Sequence, residues 1–394
     1  MLAIPHLLWI FFWGTIAALI VIIAWFATLI AGRNPEGLHD FLAGFVRYAL
    51  SLQAYLFLAA NPYPAFFLGT ARPYPIDLEI DPPARQSRLT TLFRLFLALP
   101  ALLLLGALSG GSGGLRLSGG GVAAIGAFLT WFAALVTGRA PRGLRDLTAW
   151  GLSYSAQVWG YLFLLTDRYP NSSPALHLAR LEPPEAPHLT RLVVEDDLRR
   201  PRLMVFFRLP LAVPHLIWLT GWFVLALLAG LLNWLLTLVR GRAWRPLVRF
   251  LAAYVRYSTH VSAFLYLTGN PFPGFVGRAG SYPIDLDIAL AERQNRWKTL
   301  FRLPLTVPAL LVSSGLSFVQ LVCAFLGWFS ALALGRMPEG MRDAGAHSLR
   351  YSGQLAAYLF VLTDRYPHGS PLAGTPVKTD ATPPLDWGEP GAFV

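Results

Sequence analysis

Polar and charged residues recur at fixed spacing inside four apolar stretches, and they are the first candidates for chemistry. Counted from a residue just after a short turn, they stand at offsets of 0, 7 and 11, within about 40° of one another on one helical face. We call this set the polar stripe. Its members are Asp40, Arg47 and Ser51; Asp146, Ser153 and Gln157; Arg249, Arg256 and His260; and Asp343, Arg350 and Gln354.

The polar stripe supports two interpretations. Its side chains could join neighbouring helices by hydrogen bonds, or they could line a path for an ion, a proton or a lipid headgroup. The first is favoured, because transporters usually contain helices broken at mid-membrane and only one such break is indicated here. The second stripe lacks Arg and the third lacks Asp, so we expect Asp146 to lie beside Arg249 or Arg256.

Three sets of arginines share the spacing R-x-x-R-x5-R and precede apolar stretches. They are Arg85, Arg88 and Arg94; Arg199, Arg202 and Arg208; and Arg293, Arg296 and Arg302. The formal net charge is +11, and all but two of the 32 basic residues are Arg. Because the arginines stand at the ends of apolar runs, anionic lipid headgroups are the expected partners, rather than nucleic acid.

Other kinds of chemistry find little support. Gly110–Gly114 fits the pattern G-x-S-x-G but lies in a low-complexity Gly/Ser insert rather than in a strand–turn–helix context. The eight His are scattered without a metal-binding motif. Cys323 is the only Cys, which excludes an intramolecular disulfide and a Cys-rich metal site. We therefore predict no catalytic residues, no metal, no cofactor and no enzymatic activity.

Composition indicates a membrane protein. Hydrophobic residues make up 55% of the chain and charged residues 13%, against roughly 25% charged in an average globular protein. A spanning helix needs about 20 mostly apolar residues. This criterion predicts eight spans in four hairpins, within an all-α polytopic fold. They lie at 5–31, 41–60, 92–108 continuing to 122–137, 144–165, 209–239, 247–268, 301–334 and 342–362.

The chain consists of four copies of one unit. Three columns keep their spacing in every copy: Trp25, Trp131, Trp234 and Trp328; Gly32, Gly138, Gly241 and Gly335; and Asn61, Asp167, Asn270 and Asp364. The unit boundaries are 1–66, 73–170 with the Gly-rich insert 109–121, 187–273 and 282–367, followed by a flexible tail, 368–394. Since each unit would contribute two spans, all four should share one orientation, as parallel repeats.

Each unit has a predictable order of elements. Ile76–Ile80 alternates apolar and acidic residues like a strand, and Arg191–Val194 is a weaker copy, so we expect these extramembrane strands to pair with each other or with a partner. An interfacial Arg-bearing helix should then turn at Pro210 and Pro214 and enter the membrane. After the next turn, the Asp is placed to cap the second helix.

The motifs Y-P-I-D-L-E-I, R-L-T-T-L-F-R-L, G-R-x-P-x-G-L-x-D and Y-L-F-L-L-T-D-R-Y-P resemble the bacterial membrane family called domain of unknown function 4389. Units two and four match along their length. The third unit departs most, with Trp244 and Pro246 in the turn and Arg249 in place of Asp. The resemblance implies an integral membrane protein of hairpin units and brings no activity or catalytic residue with it.

These observations favour a non-catalytic accessory or scaffold protein of the cell (inner) membrane. It would present a basic surface to anionic lipids or to a membrane protein partner. The alternative is a transporter or channel for a small solute, an ion or a lipid, lined by the polar stripe. Charge counting around the short turns weakly places both termini, the strands and the Arg helices in the cytoplasm.

Overall fold

The structure is a computed structural model and describes residues 3–66, 74–75, 78–110, 120–174, 188, 190–289 and 293–371. It is mostly helical, with one two-stranded sheet. The helices are α1 (Ile4–Ala31), α2 (Glu36–Leu56), α3 (Arg88–Leu92), α4 (Arg94–Ser109), α5 (Val122–Thr137), α6 (Arg142–Leu162), α7 (Arg202–Phe206), α8 (Arg208–Arg240), α9 (Arg245–Leu265), α10 (Arg296–Leu300), α11 (Arg302–Leu334) and α12 (Glu339–Leu359). The strands are β1 (Thr190–Val194) and β2 (Ile284–Ile288).

Each unit contains a long apolar first helix, a four-residue turn and a 21-residue second helix. The first helices are α1, α4 with α5, α8 and α11, and the second helices are α2, α6, α9 and α12. Every turn starts at a Gly whose φ lies between 67° and 73°, a conformation that costs Gly little and other residues more. The column of repeated glycines therefore marks the ends of the first helices.

The repeated Asp does not cap the second helix, so this prediction is wrong. The residues before the second helices are Pro35, Pro141, Trp244 and Pro338, and none offers a capping side chain. Asp40 is the fifth residue of α2, and Asp146 and Asp343 occupy the same position in their helices. Only the first four N–H groups of a helix lack partners, so a side chain one turn further on lies beyond them.

The bend before the long helix also differs from the prediction. It falls at Phe207, between α7 and α8, and α8 continues through Pro214. Pro210 is the third residue of α8, where the missing N–H would have no helical partner anyway. The helix therefore loses one internal hydrogen bond at Pro214 and continues to Arg240.

The Gly-rich insert interrupts the first helix of the second unit. Helix α4 ends at Ser109 and α5 begins at Val122. The backbones of Gly110 and Gly121 touch, so α4 and α5 together take the place of one long helix. Residues 111–119 of the insert lie outside the described residues.

The predicted strand Arg191–Val194 lies in β1, and it pairs with β2, the segment of the fourth unit equivalent to Ile76–Ile80. β1 and β2 are antiparallel, with Thr190 opposite Ile288 and Val194 opposite Ile284. The copy in the second unit is not assigned as a strand at residues 78–80, and residues 76–77 lie outside the described part of the chain.

Units one and two are antiparallel to each other, and so are units three and four, which corrects the prediction that all four units share one orientation. The segment that leads into the second unit lies at the turn of the first, since Gln86 N donates to Gly32 O at 2.9 Å. The end of α6 lies there as well, because Asn34 Nδ2 donates to Leu164 O at 3.3 Å. The third and fourth units repeat this arrangement, and Gln294 N donates to Gly241 O at 3.2 Å.

The linkers between units account for the antiparallel order. The linker after α2 runs back along that helix, so that Tyr74 contacts Pro62 at one end and Leu78 contacts Arg47 near the middle. The next unit therefore starts at the opposite end of the bundle. The linker that contains β2 follows α9 in the same way, from Tyr282 at Pro271 to Leu286 at Arg256.

The second and fourth units form the centre of the molecule. Helix α11 packs on α4 and α5, and this core includes Leu104, Trp150 and Leu316. The first unit joins the second through α2 and α6, and the third joins the fourth through α9 and α12. The spatial order of the units is therefore one, two, four, three.

Large exposed apolar side chains concentrate on the first helices and on the short helices α3, α7 and α10. Phe11 is 68% exposed, Ile217 70% and Leu303 68%. Among the described residues, three helices, α1, α8 and α11, are long and apolar enough to cross a membrane. The apolar helices α4 and α5 have only 16 residues each. The molecule is compatible with a membrane protein, and the eight predicted spans are not confirmed.

Candidate functional site

In the second, third and fourth units, a buried arginine stands at the start of the first helix. Arg302 is 1% exposed. Its Nη2 donates to Asp364 Oδ1 at 2.8 Å and to Gln294 Oε1 at 3.0 Å. Its Nη1 donates to the carbonyl of Tyr358 and, at 3.0 Å, to that of Thr363. The guanidinium also lies 4.5 Å from the centre of the Tyr358 ring. We call this arrangement the arginine cage.

The second unit contains the same arginine cage. Arg94 donates to Asp167 at 2.8 Å and to Gln86 at 2.9 Å, and its guanidinium lies 4.5 Å from the centre of the Tyr161 ring. Arg94 Nη1 donates to the carbonyl of Tyr161, in the last turn of α6, where the last four C=O groups lack helical partners, and to that of Thr166, just beyond the helix. A cation is favoured at this end by the helix dipole.

The third unit has a modified arginine cage. Asn270 stands where the other two cages have Asp, and Arg200 stands where they have Gln. Arg200 pairs with Asp196 at 2.7 Å and donates to Leu267 O at 3.0 Å. Arg208 keeps the bond to a helix-end carbonyl, that of Phe264, at 2.8 Å.

These positions correct part of the lipid-headgroup prediction. Arg94, Arg208 and Arg302, the third arginine of each set, are at most 2% exposed and face protein carbonyls. The first two arginines of each set are exposed, and their binding to headgroups stays a prediction: Arg85, Arg88, Arg199, Arg202, Arg293 and Arg296. The third arginine is buried because it stands beside the open end of the second helix of its own unit.

The sequence shows that the Arg and Asp positions of the arginine cage repeat, but it does not show that they meet. Gln86 and Gln294 stand eight residues before the caged arginine in both complete cages. The third unit has Arg200 in place of this Gln and Asn270 in place of the Asp. The joint loss of Gln and Asp is the sequence feature that could have indicated their contact with the arginine.

A cleft of exposed arginines lies where the turn of the fourth unit meets the segment leading into the third. Arg199 and Arg336 face each other across an isolated β-bridge, and Arg202 Nη2 donates to Ala333 O at 2.8 Å. All three line a cleft of about 670 Å³, together with Asp197. We call it the arginine cleft. Arg33 and Arg85 form the equivalent bridge between the first and second units.

The polar stripe mainly satisfies the backbone of the linkers. Arg256 Nε donates to Leu286 O of β2 at 2.9 Å, and Arg47 Nε donates to Leu78 O at 3.0 Å. Gln354 Nε2 donates to Thr190 O of β1 at 3.1 Å. These bonds join a second helix to a strand or a linker, whereas the favoured interpretation expected bonds between neighbouring helices. The transport alternative stays a prediction.

His260 of the polar stripe contacts a carboxylate of the strand β2. Its Nε2 lies 2.7 Å from Asp285 Oδ1, and both residues are buried. Burial raises the pKa of Asp285, but hydrogen bonds from His260 and from the backbone N–H groups of Gly280 and Leu286 outweigh it. The net result is a pKa below the ordinary value. The carboxylate therefore fixes the start of β2 against α9.

The remaining stripe residues do not converge on one point. Asp40 and Arg249 are exposed, and the hydroxyl of Ser51 bonds to its own helix. Arg350 is buried and donates to Ser370 O at 2.6 Å. The further contacts are Gln157 Oε1 with Asn171 N at 2.9 Å and Asp343 with Ser173 Oγ at 2.7 Å and with Arg342 Nε at 2.7 Å.

The predicted pairing of Asp146 with Arg249 or Arg256 is wrong. Asp146 lies 3.2 Å from Arg145 of its own helix. Helices α6 and α9 belong to units two and three, which are separated by unit four. Within the described residues, no group of three or more His, Cys, Asp or Glu side chains is arranged to hold a metal ion.

Comparison with known families identifies the repeated unit. The family described as "Domain of unknown function (DUF4389)" matches residues 1–68, 88–173, 202–276 and 296–370, so the chain belongs to this family in four tandem copies. The last three matches begin at the first residues of α3, α7 and α10, after the linkers. Searches among curated proteins and among solved structures gave no match.

Proposed function

We propose that the protein is a non-catalytic integral membrane protein that acts as an accessory or scaffold subunit of the bacterial inner membrane. Its exposed arginines would bind the phosphates of anionic lipids. The observation that carries this proposal is the arginine cleft, which Arg199, Arg202 and Arg336 line together; among the described residues, Asp197 is its one acidic lining residue. Juxtaposed cations repel one another, and a phosphate between them relieves that repulsion.

The surroundings of the arginine cleft support lipid as the anion. The helices α7 and α11 that form it expose Phe206 at 60% and Leu334 at 70%. A phosphate bound in the cleft would therefore belong to a molecule whose apolar part lies against an apolar surface. A phospholipid has this combination, whereas nucleic acid does not.

Lipid retention during purification tests the proposal. The full chain is extracted in a mild detergent with equal amounts of phosphatidylcholine and phosphatidylglycerol, and bound lipid is measured by native mass spectrometry. We expect phosphatidylglycerol to be retained preferentially. In the Arg199→Gln/Arg336→Gln variant its affinity should fall roughly tenfold or more, since each arginine near a lipid surface contributes about 1 kcal/mol.

The matched control is Arg249→Gln/Arg278→Gln, which removes the same charge from exposed positions outside the arginine cleft. This variant should bind phosphatidylglycerol within about twofold of wild type. Equal retention of both lipids by the wild type, or equal loss in the two variants, would contradict the proposal.

A further inference from the structure

The linkers cross from one end of the helical bundle to the other, and this limits how the bundle can sit in a membrane. The linker that contains β2 starts at the end of α9 and finishes at the turn before it, where Gln294 meets Gly241. If the two ends of the bundle faced opposite sides of a bilayer, β2 would have to cross the hydrocarbon region in extended form. A sheet of only two strands has open outer edges, and open edges do not cross lipid, because their backbone groups lack partners there.

Charged side chains on the linkers strengthen this argument. Asp287 of β2 and Arg191 of β1 are exposed, and Leu286 beside them contacts Arg256 near the middle of α9. In the spanning orientation these two charges would lie near mid-membrane and outside the helical bundle. Each charge at that depth costs about 2.5–3.5 kcal/mol on insertion scales.

The opposite face of the molecule has the surface that lipid requires. The long first helices share it, with exposed residues such as Phe12, Leu228 and Phe325. By contrast, exposed large apolar residues on the described second helices are confined to Leu56, at the end of α2. The apolar surface thus belongs to the layer of first helices, and the charged surface belongs to the layer of second helices and linkers. The two surfaces do not alternate along the helix axes.

The lengths of the first helices agree with this separation. Helices α8 and α11 have 33 residues each, which corresponds to about 50 Å. The hydrocarbon core of a bilayer is about 30 Å thick. The thickness of the bilayer does not limit the length of a helix that lies in the membrane plane. In this orientation the short helices α7 and α10 extend the apolar layer that α8 and α11 form.

We infer that the first helices lie parallel to the membrane plane, embedded in one leaflet, with β1, β2 and the linkers on the aqueous side. Both basic ends of the bundle then meet headgroups of the same leaflet. The inference rests on the membrane association proposed above and adds its geometry.

Labelling from one side of the membrane tests the inference. In a Cys323→Ser background, single cysteines are placed at Gly37, Ala140 and Asp287, all exposed. Gly37 and Ala140 stand beside the turns of successive units, at opposite ends of the bundle. The full-length variants are treated with an impermeant maleimide in right-side-out and in inverted membrane vesicles. We expect all three to react from the same side, and detergent should make no further site reactive.

Depth measurements provide a second test. Fluorophores attached at Ile16→Cys and Ile30→Cys, both on the exposed face of α1, are quenched by lipids brominated at different depths. The two sites are about 21 Å apart along the helix. We expect depths within about 5 Å of each other, whereas a spanning α1 would separate them by most of that distance.

The outcomes separate the two proposals. If the protein stays with vesicles in flotation but the Gly37 and Ala140 sites react from opposite sides, the in-plane geometry is wrong and the membrane association stands. If the protein does not float with vesicles, both proposals fail.

Discussion

Arg302 and Asp364, 62 residues apart in the chain, form a 2.8 Å ion pair at the end of α12. The arginine side chain is 1% exposed and the carboxylate 23%. Asp364 Oδ2 also accepts a hydrogen bond from Asn295 N at 2.6 Å, directly before α10. The pair thus joins three elements of the fourth unit: the short helix, the start of the first helix and the end of the second. Arg94 and Asp167 do the same in the second unit.

The first prediction concerns this ion pair. Asp364→Asn should lower the free energy of unfolding by about 1–3 kcal/mol, because the buried guanidinium of Arg302 loses its charged partner. This loss of stability is smaller than the loss expected for a fully buried ion pair, because water reaches the carboxylate of Asp364. Thermal unfolding of the detergent-solubilised protein measures it. The control is Asp40→Asn, whose side chain is 80% exposed and should change stability by less than about 0.5 kcal/mol. Equal effects of the two substitutions would contradict the structural role of the pair.

The second prediction uses the modified cage of the third unit. Among the described residues, Arg208 Nε and Nη2 and Asn270 Oδ1 are buried without hydrogen-bond partners. Asn270→Asp restores the residue that the other two cages contain and should raise the free energy of unfolding by about 1 kcal/mol. The control is the same substitution at Asn61, the equivalent exposed residue of the first unit, for which the described residues contain no arginine cage. A decrease in stability would show that Arg200 has replaced the function of the carboxylate.

The third prediction separates two arginines of one helix. Arg256 and Arg249 both belong to the polar stripe of α9, but only Arg256 reaches the strand, through Leu286 O. Arg256→Met should cost about 1–3 kcal/mol, because it leaves a carbonyl of β2 without its donor. Arg249→Met, at an exposed position, should cost less than about 0.5 kcal/mol. Hydrogen exchange of the amides in β2 should rise in the first variant alone; similar exchange in both would contradict the assigned contact.

Local features were predictable because they depend on neighbours in the chain. The Gly column predicts the ends of the first helices, since a helix ending at a residue with positive φ favours Gly. The alternation in β2 predicts a strand with one apolar face, and the structure has Ile284 and Leu286 buried. The family assignment also follows from these local repeats.

Features that depend on how distant segments meet were not predictable in this way. The antiparallel order of units follows from a linker that turns back along α9, and its residues Asp285 and Leu286 indicate only a strand. The burial of Arg302 depends on the open end of α12, which is 57 residues further along the chain at Leu359. From the sequence alone, an arginine next to an apolar run indicates binding to lipid headgroups. Only the structure shows that protein carbonyls surround Arg302.

The last prediction concerns pH and the contact of Asp285 with His260. The pKa of Asp285 is lower in the folded protein than its ordinary value of 3.8, because hydrogen bonds outweigh the effect of burial. The folded state therefore gains stability from the ionised carboxylate above about pH 4, and loses it as the pH falls through the folded pKa. Asp285→Asn removes this contribution, so the difference in unfolding free energy between wild type and variant should be constant above about pH 5 and shrink in more acidic solution. Chemical unfolding in detergent at a series of pH values measures the difference. A difference for Asp285→Asn that grows toward acid would contradict the direction of the shift.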